Sequence, residues 1–100
     1  METVNAIAKA RFASARPQRV HLHRGAALAA ELVCLEPSQE IRNESGAWCY
    51  YVVRGSVTLA AGGPPRELSM GHAAATEAGE KHRLRNESEQ RAICLAVAAP

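Results

Sequence analysis

Short hydrophobic segments separated by glycine and proline dominate this chain. Between positions 19 and 24, apolar residues alternate with polar ones, and this period of two is typical of a strand with one buried face. Residues 27–35 are apolar on both faces apart from Glu31, so we expect a strand that is covered on both sides. Residues 48–53 are aromatic and β-branched, which favours a strand, and a glycine turn connects them to a hairpin partner at 57–60.

The remaining segments continue this pattern. Further short strands are predicted at 66–69, 73–76, 81–86 and 91–98. The glycine and proline residues at 62–65 predict a loop. A single short helix is expected at 5–11, with Thr3 or Asn5 as its cap, and Pro17 would end any helical structure. Many short strands with almost no helix predict an all-β sandwich or jelly roll.

The strand at 81–86 has two chemically different faces. One face carries Lys81, Arg83 and Arg85, and the other carries His82, Leu84 and Asn86. Long cationic side chains are rarely buried. We therefore expect the histidine face to point into the interior and the cationic face to lie in water.

This second half of the chain also contains an informative spacing. Gly71, Gly79, His82 and Asn86 are separated as in the second signature motif of the cupin family, although Glu77 stands where the family usually has proline. The segment therefore resembles that motif. In cupins the histidine of the motif supplies a metal ligand from a barrel strand, and the matching residue here is His82.

The first cupin motif is matched at its two ends and lost in its middle. Residues 35–39 are similar to the family's L-x-P-G-Q, and residues 50–55 to its Y-Y-V-L-x-G. The positions of the family's two histidines and glutamate correspond to Glu44, Gly46 and Trp48.

The resemblance extends over residues 20–98. It implies an antiparallel jelly-roll barrel, also called a double-stranded β-helix, in which most of the metal ligands are replaced. We therefore expect no bound metal and no other cofactor.

We predict a ligand site inside this barrel. If Trp48 occupies the inward glutamate position of the family, Trp48 and Tyr50 wall a cavity for a small organic molecule. The candidate ligand-binding residues are His82, Trp48, Tyr50, Asn86 and Glu44. Alternatives remain for four of them: His82 as a hydrogen-bonded core residue, Glu44 on a solvated loop, and Trp48 and Tyr50 as packing alone.

No catalytic residue is assigned, and enzyme activity remains an open question. The chain has no aspartate, and it lacks nucleophile, phosphate-loop and dinucleotide motifs. The histidines at 21 and 23 are interpreted as a polar outer strand face. The first hypothesis is a dimeric small-molecule-binding or accessory module. The alternatives are a metal-dependent isomerase or dioxygenase with a rearranged site centred on His82, or a structural protein whose barrel Trp48 fills.

Length, charge and cysteine content limit the kinds of partner and compartment that we expect. The chain of 100 residues is long enough for one domain, and we expect an arm at 1–18 followed by a barrel at 19–100. Residues 1–24 carry a net charge of +4, which we interpret as a solvated basic segment and not as a nucleic-acid site. Three cysteines without paired spacing, no membrane-length apolar run and no secretion signal lead us to expect a cytoplasmic protein.

Small size favours association. Twenty residues are alanine, so the core of so short a chain is limited. The predicted strand at 48–53 has a second apolar face made of Cys49, Tyr51 and Val53. We expect a homodimer with these residues in a self-complementary interface.

Overall fold

The computed structural model describes residues 1–99, which form two antiparallel sheets. The nine strands of this part of the chain are β1 (Gln18–Arg24), β2 (Ala29–Leu35), β3 (Glu40–Asn43), β4 (Ala47–Arg54), β5 (Ser56–Ala60), β6 (Arg66–Ser69), β7 (Ala73–Thr76), β8 (His82–Arg85) and β9 (Ala92–Ala99). The helical structure within these residues is one 3-10 turn, Ile7–Lys9, and Asn5 Oδ1 accepts a hydrogen bond from the Ala8 N–H there. The all-β prediction is confirmed.

The two sheets enclose a common core. The five-stranded sheet has the order β1-β2-β9-β4-β7, and the four-stranded sheet has the order β3-β8-β5-β6. Because consecutive strands repeatedly cross from one sheet to the other, inward side chains of both sheets meet in one cluster. This cluster includes Val33, Leu35, Tyr50, Val52 and Cys94 from the larger sheet, and Ile41, Val57, Leu59 and Leu84 from the smaller one.

Eight of the nine strands were predicted, with their bounds within two residues. The missing strand is β3, at the edge of the four-stranded sheet, where it pairs only with β8. Its four residues include three polar ones, and Ile41 alone is buried. An edge strand with one apolar residue has too little periodicity to be recognised in a sequence.

The side-chain alternation predicted for β8 is confirmed. His82, Leu84 and Asn86 are buried, whereas Lys81 and Arg83 are exposed. Arg85 is partly exposed and its Nη1 lies 3.0 Å from Glu40 Oε1.

The outer face of the five-stranded sheet is covered only in part. Leu32, Cys34 and Ile93 are buried there beneath side chains of the N-terminal segment, among them Ala6, Ala10 and Phe12. The Phe12 ring in turn lies 4.6 Å from the guanidinium carbon of Arg91. The covered strand predicted at 27–35 therefore has both faces buried in its second half, and the division between arm and barrel at position 18 stays a prediction. No helix of the described residues is long and apolar enough to cross a membrane.

Two tight turns depend on left-handed backbone. Gly55 has φ +78° between β4 and β5, and a Cβ atom there would lie 2.6 Å from the Arg91 carbonyl oxygen. Ser38 has φ +74° in the turn before β3, and its N–H donates to the Asn86 carbonyl oxygen at 2.7 Å. Serine occupies the position where the cupin motif has glycine, so this turn carries conformational strain.

We predict that Ser38→Gly stabilises the protein. A left-handed L-residue costs roughly 1–2 kcal/mol, while glycine costs about 0.5–1 kcal/mol in the unfolded chain, so the expected gain in unfolding free energy is about 0.5–1 kcal/mol. Urea denaturation should show a higher midpoint with an unchanged m-value. Ser14→Gly, at an exposed serine without positive φ, is the control and should be destabilising. Equal effects of the two substitutions would contradict the strain at Ser38.

Candidate functional site

Three rings meet where β4 and β8 begin. The ring centroids of Trp48 and Tyr50 are 5.8 Å apart with an interplanar angle of 6°. The Tyr50 and His82 centroids are 5.4 Å apart and nearly perpendicular. Trp48 and Tyr50 share a face because they are two residues apart in one strand, and β8 brings His82 across from the other sheet. The three residues of the predicted site thus lie together, but His82 lines one cavity and Trp48 another, and Tyr50 lines neither. Their role in ligand binding stays a prediction.

Hydrogen bonds fix the protonation of His82, which is only 5% exposed. Its Nδ1 lies 2.8 Å from the Glu80 carbonyl oxygen, which can only accept, so Nδ1 carries the proton. Nε2 is then an acceptor, and the Tyr50 hydroxyl donates to it at 2.6 Å. Both ring nitrogens are therefore used within the protein, as in a satisfied core histidine.

The Tyr50 hydroxyl belongs to a longer chain of polar contacts. It accepts a hydrogen bond from Asn43 Nδ2 at 2.8 Å, and Asn43 Oδ1 accepts from Arg19 Nη2 at 3.2 Å. Arg19 Nε donates to Glu31 Oε1 at 2.9 Å. We call these five residues, from Glu31 to His82, the mouth network. It links β1, β2 and β4 of one sheet to β3 and β8 of the other.

Burial sets the electrostatics of the mouth network. Desolvation raises the pKa of Tyr50 from its ordinary value of 10 to about 12, outweighing the lowering by the Asn43 hydrogen bond. The hydroxyl thus stays protonated and able to donate to His82. Glu31 is only 7% exposed, and Arg19 compensates its charge with two nitrogens on one carboxylate oxygen.

Trp48 packs against the mouth network. It is partly buried, its ring is stacked on Tyr50, and its Nε1–H donates to the Ser45 carbonyl oxygen at 2.8 Å. The Arg19 guanidinium carbon lies 5.6 Å from the Trp48 ring centroid. These contacts hold the indole in one orientation.

A groove of about 350 Å³ lies beside Trp48 at this end of the barrel. We call it the mouth groove. Its charged and aromatic lining consists of Arg19, His21, Arg24, Glu31 and Trp48, and alanines form much of the rest.

A β-bulge determines which residues of β1 reach the mouth groove. The register with β2 shifts between His21, which pairs with Glu31, and His23, which pairs with Ala30. His21 consequently lines the mouth groove, whereas His23 Nδ1 contacts Glu2 Oε1 at 3.3 Å. The interpretation of both histidines as one outer face was therefore wrong, because the bulge interrupts the period of two.

Asn86 does not reach the mouth. It lies four residues beyond His82, about 13 Å along an extended strand. Its Nδ2 donates to the carbonyl oxygens of Leu35 at 3.0 Å and Gln90 at 2.7 Å, and its Oδ1 accepts from the Ser88 N–H and hydroxyl. All hydrogen-bonding groups of the Asn86 side chain are paired at the opposite end of the barrel, where they hold turns. The structure therefore gives Asn86 a structural role.

Glu44 lies on the surface beside His82. Its side chain is exposed and its Oε2 lies 3.7 Å from Lys81 Nζ. It lines an open cavity of about 590 Å³ together with His82 and Asn43 and with charged residues that include Arg42 and Arg83. The loop before β4 leaves the carboxylate in solvent, as the alternative interpretation had it.

Sequence reasoning missed Arg19, His21, Arg24, Glu31 and Asn43. One signal was present, because Glu31 is the only charged residue in the apolar segment 27–35 and a buried carboxylate needs a partner. Arg19 pairs with Val33 across the strands, two residues along from Glu31 and on the same face. The bulge that turns Arg24 into the mouth groove left no signal of this kind.

Comparison with known proteins identifies the family. The profile of the family described as Cupin domain matches residues 31–98, which is more than half of the chain. The chain belongs to the cupin family. The recognition from the two motifs is thus confirmed, as is the jelly-roll fold.

Solved structures agree with this cupin fold. The TT1209 protein from Thermus thermophilus is 29% identical, with a TM-score of 0.93 over 100% of this chain and 98% of that one. An uncharacterized conserved protein with a double-stranded beta-helix domain from Klebsiella pneumoniae is 20% identical, with a TM-score of 0.89 and coverage of 100% and 90%. An RmlC-like cupin protein from Desulfovibrio desulfuricans is 16% identical, with a TM-score of 0.82 and coverage of 98% and 96%. No curated protein matches the chain in sequence.

The residues at the cupin metal position do not fit a metal centre. His82 Nε2 is engaged by Tyr50, Glu44 lies on the surface, Gly46 has no side chain, and Trp48 offers no ligand atom. Within residues 1–99, no three His, Cys, Asp or Glu side chains converge in a way that could hold a metal ion. Metal sites require three or four such ligands.

We predict that alkaline destabilisation depends on Tyr50. The unfolded chain ionises this hydroxyl near pH 10, but the folded protein keeps its proton to about pH 12. Unfolding therefore releases a proton in this window, and Tyr50 should contribute a loss of about 1.4 kcal/mol of unfolding free energy per pH unit. Denaturation of Tyr50→Phe between pH 10 and 12 should show a shallower slope than wild type.

Tyr51→Phe is the matched control for this titration at protein concentrations that keep the chain monomeric, since Tyr51 is then exposed. At pH 7, Tyr50→Phe should lower the unfolding free energy by about 1–3 kcal/mol, because buried groups of His82 and Asn43 lose their partner. Equal slopes in Tyr50→Phe and wild type would contradict the role given to burial of this hydroxyl.

Proposed function

We propose that this cupin has lost the family's metal site and binds a small organic molecule in the mouth groove, as a dimeric binding or accessory module. The observation that carries the proposal is the position of Trp48. The indole is stacked on Tyr50 of the mouth network, and it also lines the groove of about 350 Å³. That volume falls within the range of small-molecule sites, roughly 300–1,000 Å³.

The mouth groove has the mixed character of such sites. Trp48, Ala29, Ala30 and Ala98 supply apolar surface, while a few charged side chains can orient a ligand. The indole is held by stacking on Tyr50 and by its hydrogen bond to Ser45. Because this wall is formed in advance, binding needs little ordering of side chains.

The alternative is a metal-dependent enzyme with a rearranged site. The observation that favours it is the survival of His82 at the family's ligand position, inside the barrel. Tyr50 would have to leave Nε2, and ligands would have to come from side chains that now lie elsewhere. Stoichiometric iron, manganese, zinc or nickel in protein purified without a histidine tag would favour this alternative over the binding module.

The partner we propose is a second copy of the chain. Beyond the part covered by the N-terminal segment, the outer face of the five-stranded sheet carries Cys49, Tyr51, Ala73, Ala75, Leu95 and Val97. Tyr51 is 44% exposed at the centre of these residues. The patch contains no charge and continues from the buried cluster around Leu32, so a two-fold copy would extend an existing apolar layer. Val53, also expected in the interface, packs with the covered cluster instead.

Cysteine chemistry supports a reducing compartment. Cys34, Cys49 and Cys94 are all free thiols. Burial raises the pKa of Cys94 to about 12, so that thiol is inert. Free thiols are typical of the cytoplasm, where we place this protein.

We predict that small fragments bind beside Trp48. A fragment library followed by two-dimensional amide NMR should give shifts that cluster at Arg19, His21, Glu31 and Trp48. Intrinsic fluorescence offers a second readout, because Trp48 is the only tryptophan of the chain. Trp48→Ala removes the wall and should weaken the hits, whereas Met70→Ala, at an exposed turn, should not. Hits confined to other surfaces would contradict the proposed function.

We predict that Tyr51→Glu shifts the protein from dimer towards monomer. A charge at the centre of an apolar interface is buried without a partner, which typically costs several kcal/mol. Sedimentation equilibrium at micromolar concentration should give about twice the 10.7 kDa chain mass for wild type and a lower mass for the variant. Met70→Glu is the control, since it places the same charge on an exposed turn residue that is not part of the patch. A monomeric wild type would refute the dimer.

A further inference from the structure

We infer that the mouth groove selects an organic anion, and that Arg24 recognises its carboxylate. This inference rests on the proposed function, because it names the class of ligand for the same groove. It starts from the charges that line the groove. Two guanidinium groups, Arg19 and Arg24, face a single carboxylate, Glu31.

The charge of Arg19 is already compensated. Its Nε and Nη2 both donate to Glu31 Oε1, and Nη2 also donates to Asn43. Arg24 differs, because no carboxylate of residues 1–99 lies within ion-pair distance of its guanidinium. The lining of the mouth groove therefore has one uncompensated positive charge.

The position of Arg24 follows from the backbone. Without the bulge in β1, the alternation that points His21 to the groove would point position 24 to the outer face. The bulge restores Arg24 to the inner face, where it pairs with Ala29. Bulges commonly re-aim side chains at functional sites.

Neighbouring side chains hold the guanidinium and leave most of it free. Arg24 Nη2 donates to His21 Nε2 at 2.9 Å, and His21 Nδ1 lies 3.9 Å from Glu31 Oε2. A guanidinium has five N–H donors, and within residues 1–99 only Nη2 has a side-chain partner. The remaining donors can form the paired hydrogen bonds that a planar carboxylate accepts.

The rest of the lining selects the body of the ligand. Ala29, Ala30 and Ala98 are short side chains that leave space beside Trp48. A compact apolar or flat body fits against these surfaces, with its carboxylate at Arg24. A single uncompensated guanidinium suits a monocarboxylate better than a dianion.

The test compares benzoate with its neutral isostere benzamide, at constant ionic strength. Binding is measured by amide NMR shifts of groove residues and by Trp48 fluorescence. We expect benzoate to bind about tenfold more tightly, since a charge-assisted pair is roughly 1.4 kcal/mol stronger than a neutral one. Arg24→Gln should abolish this preference, because it should weaken benzoate binding about tenfold more than benzamide binding. Arg16→Gln, at an exposed arginine of the N-terminal segment, should leave both affinities as in wild type.

The outcomes separate this inference from the proposed function. Equal binding of benzoate and benzamide in the mouth groove would support a small-molecule site and overturn its anion selectivity. A benzoate preference that persists in Arg24→Gln would overturn the role of Arg24. Failure of both probes to perturb groove residues, together with the absence of fragment hits there, would refute the proposed function and this inference with it. Amide spectra of each variant establish that the fold is intact.

Discussion

The hydrogen bond from Tyr50 to His82 is the interaction on which the chemistry of this barrel depends. The Glu80 carbonyl oxygen fixes the proton on His82 Nδ1, so Nε2 can only accept, and the Tyr50 hydroxyl is its partner at 2.6 Å. In a metal-binding cupin the histidine of this strand supplies a ligand atom. Here a phenol occupies that direction, and burial keeps the phenol protonated. In this arrangement both ring nitrogens of His82 are satisfied by groups of the protein itself.

The same hydrogen bond belongs to a network that connects the two sheets. Tyr50 accepts from Asn43, which in turn accepts from Arg19, and Arg19 binds the buried carboxylate of Glu31. A buried ion pair gives little net stability, because desolvation of both charges opposes their attraction. The ion pair matters more for the geometry of the site than for stability. It fixes Arg19 near Trp48 at a 5.6 Å separation, so the groove keeps its shape without a ligand.

Much of the fold could be predicted from local pattern, and much of the site could not. Short apolar or β-branched segments between turns predicted eight strands, and period-two alternation predicted the inward direction of His82, since a strand has only two faces. Trp48 was placed correctly by its spacing from Tyr50. The strand β3 was missed because Ile41 is its only buried residue. Asn86 was grouped with His82 by motif position, but position in a motif does not measure distance across a barrel. Glu44 does line a cavity with His82, although its carboxylate lies in solvent. The direction of the Arg24 side chain depends on the bulge in β1. One inserted residue moves every residue after it to the opposite face of the strand from the one that alternation predicts.

The two ends of the barrel show that residues of the cupin motif matter to the fold independently of any metal. At one end, Asn86 uses all four of its hydrogen bonds on turns, and a side chain at Gly55 would collide with the Arg91 carbonyl oxygen. At the other end, His82 uses both ring nitrogens inside the protein. Each of these motif residues therefore has a role in folding that needs no metal. A match to the motif predicts the barrel reliably for this physical reason. The function that we propose therefore rests on residues outside the motif, the charged side chains that β1 and β2 place around Trp48.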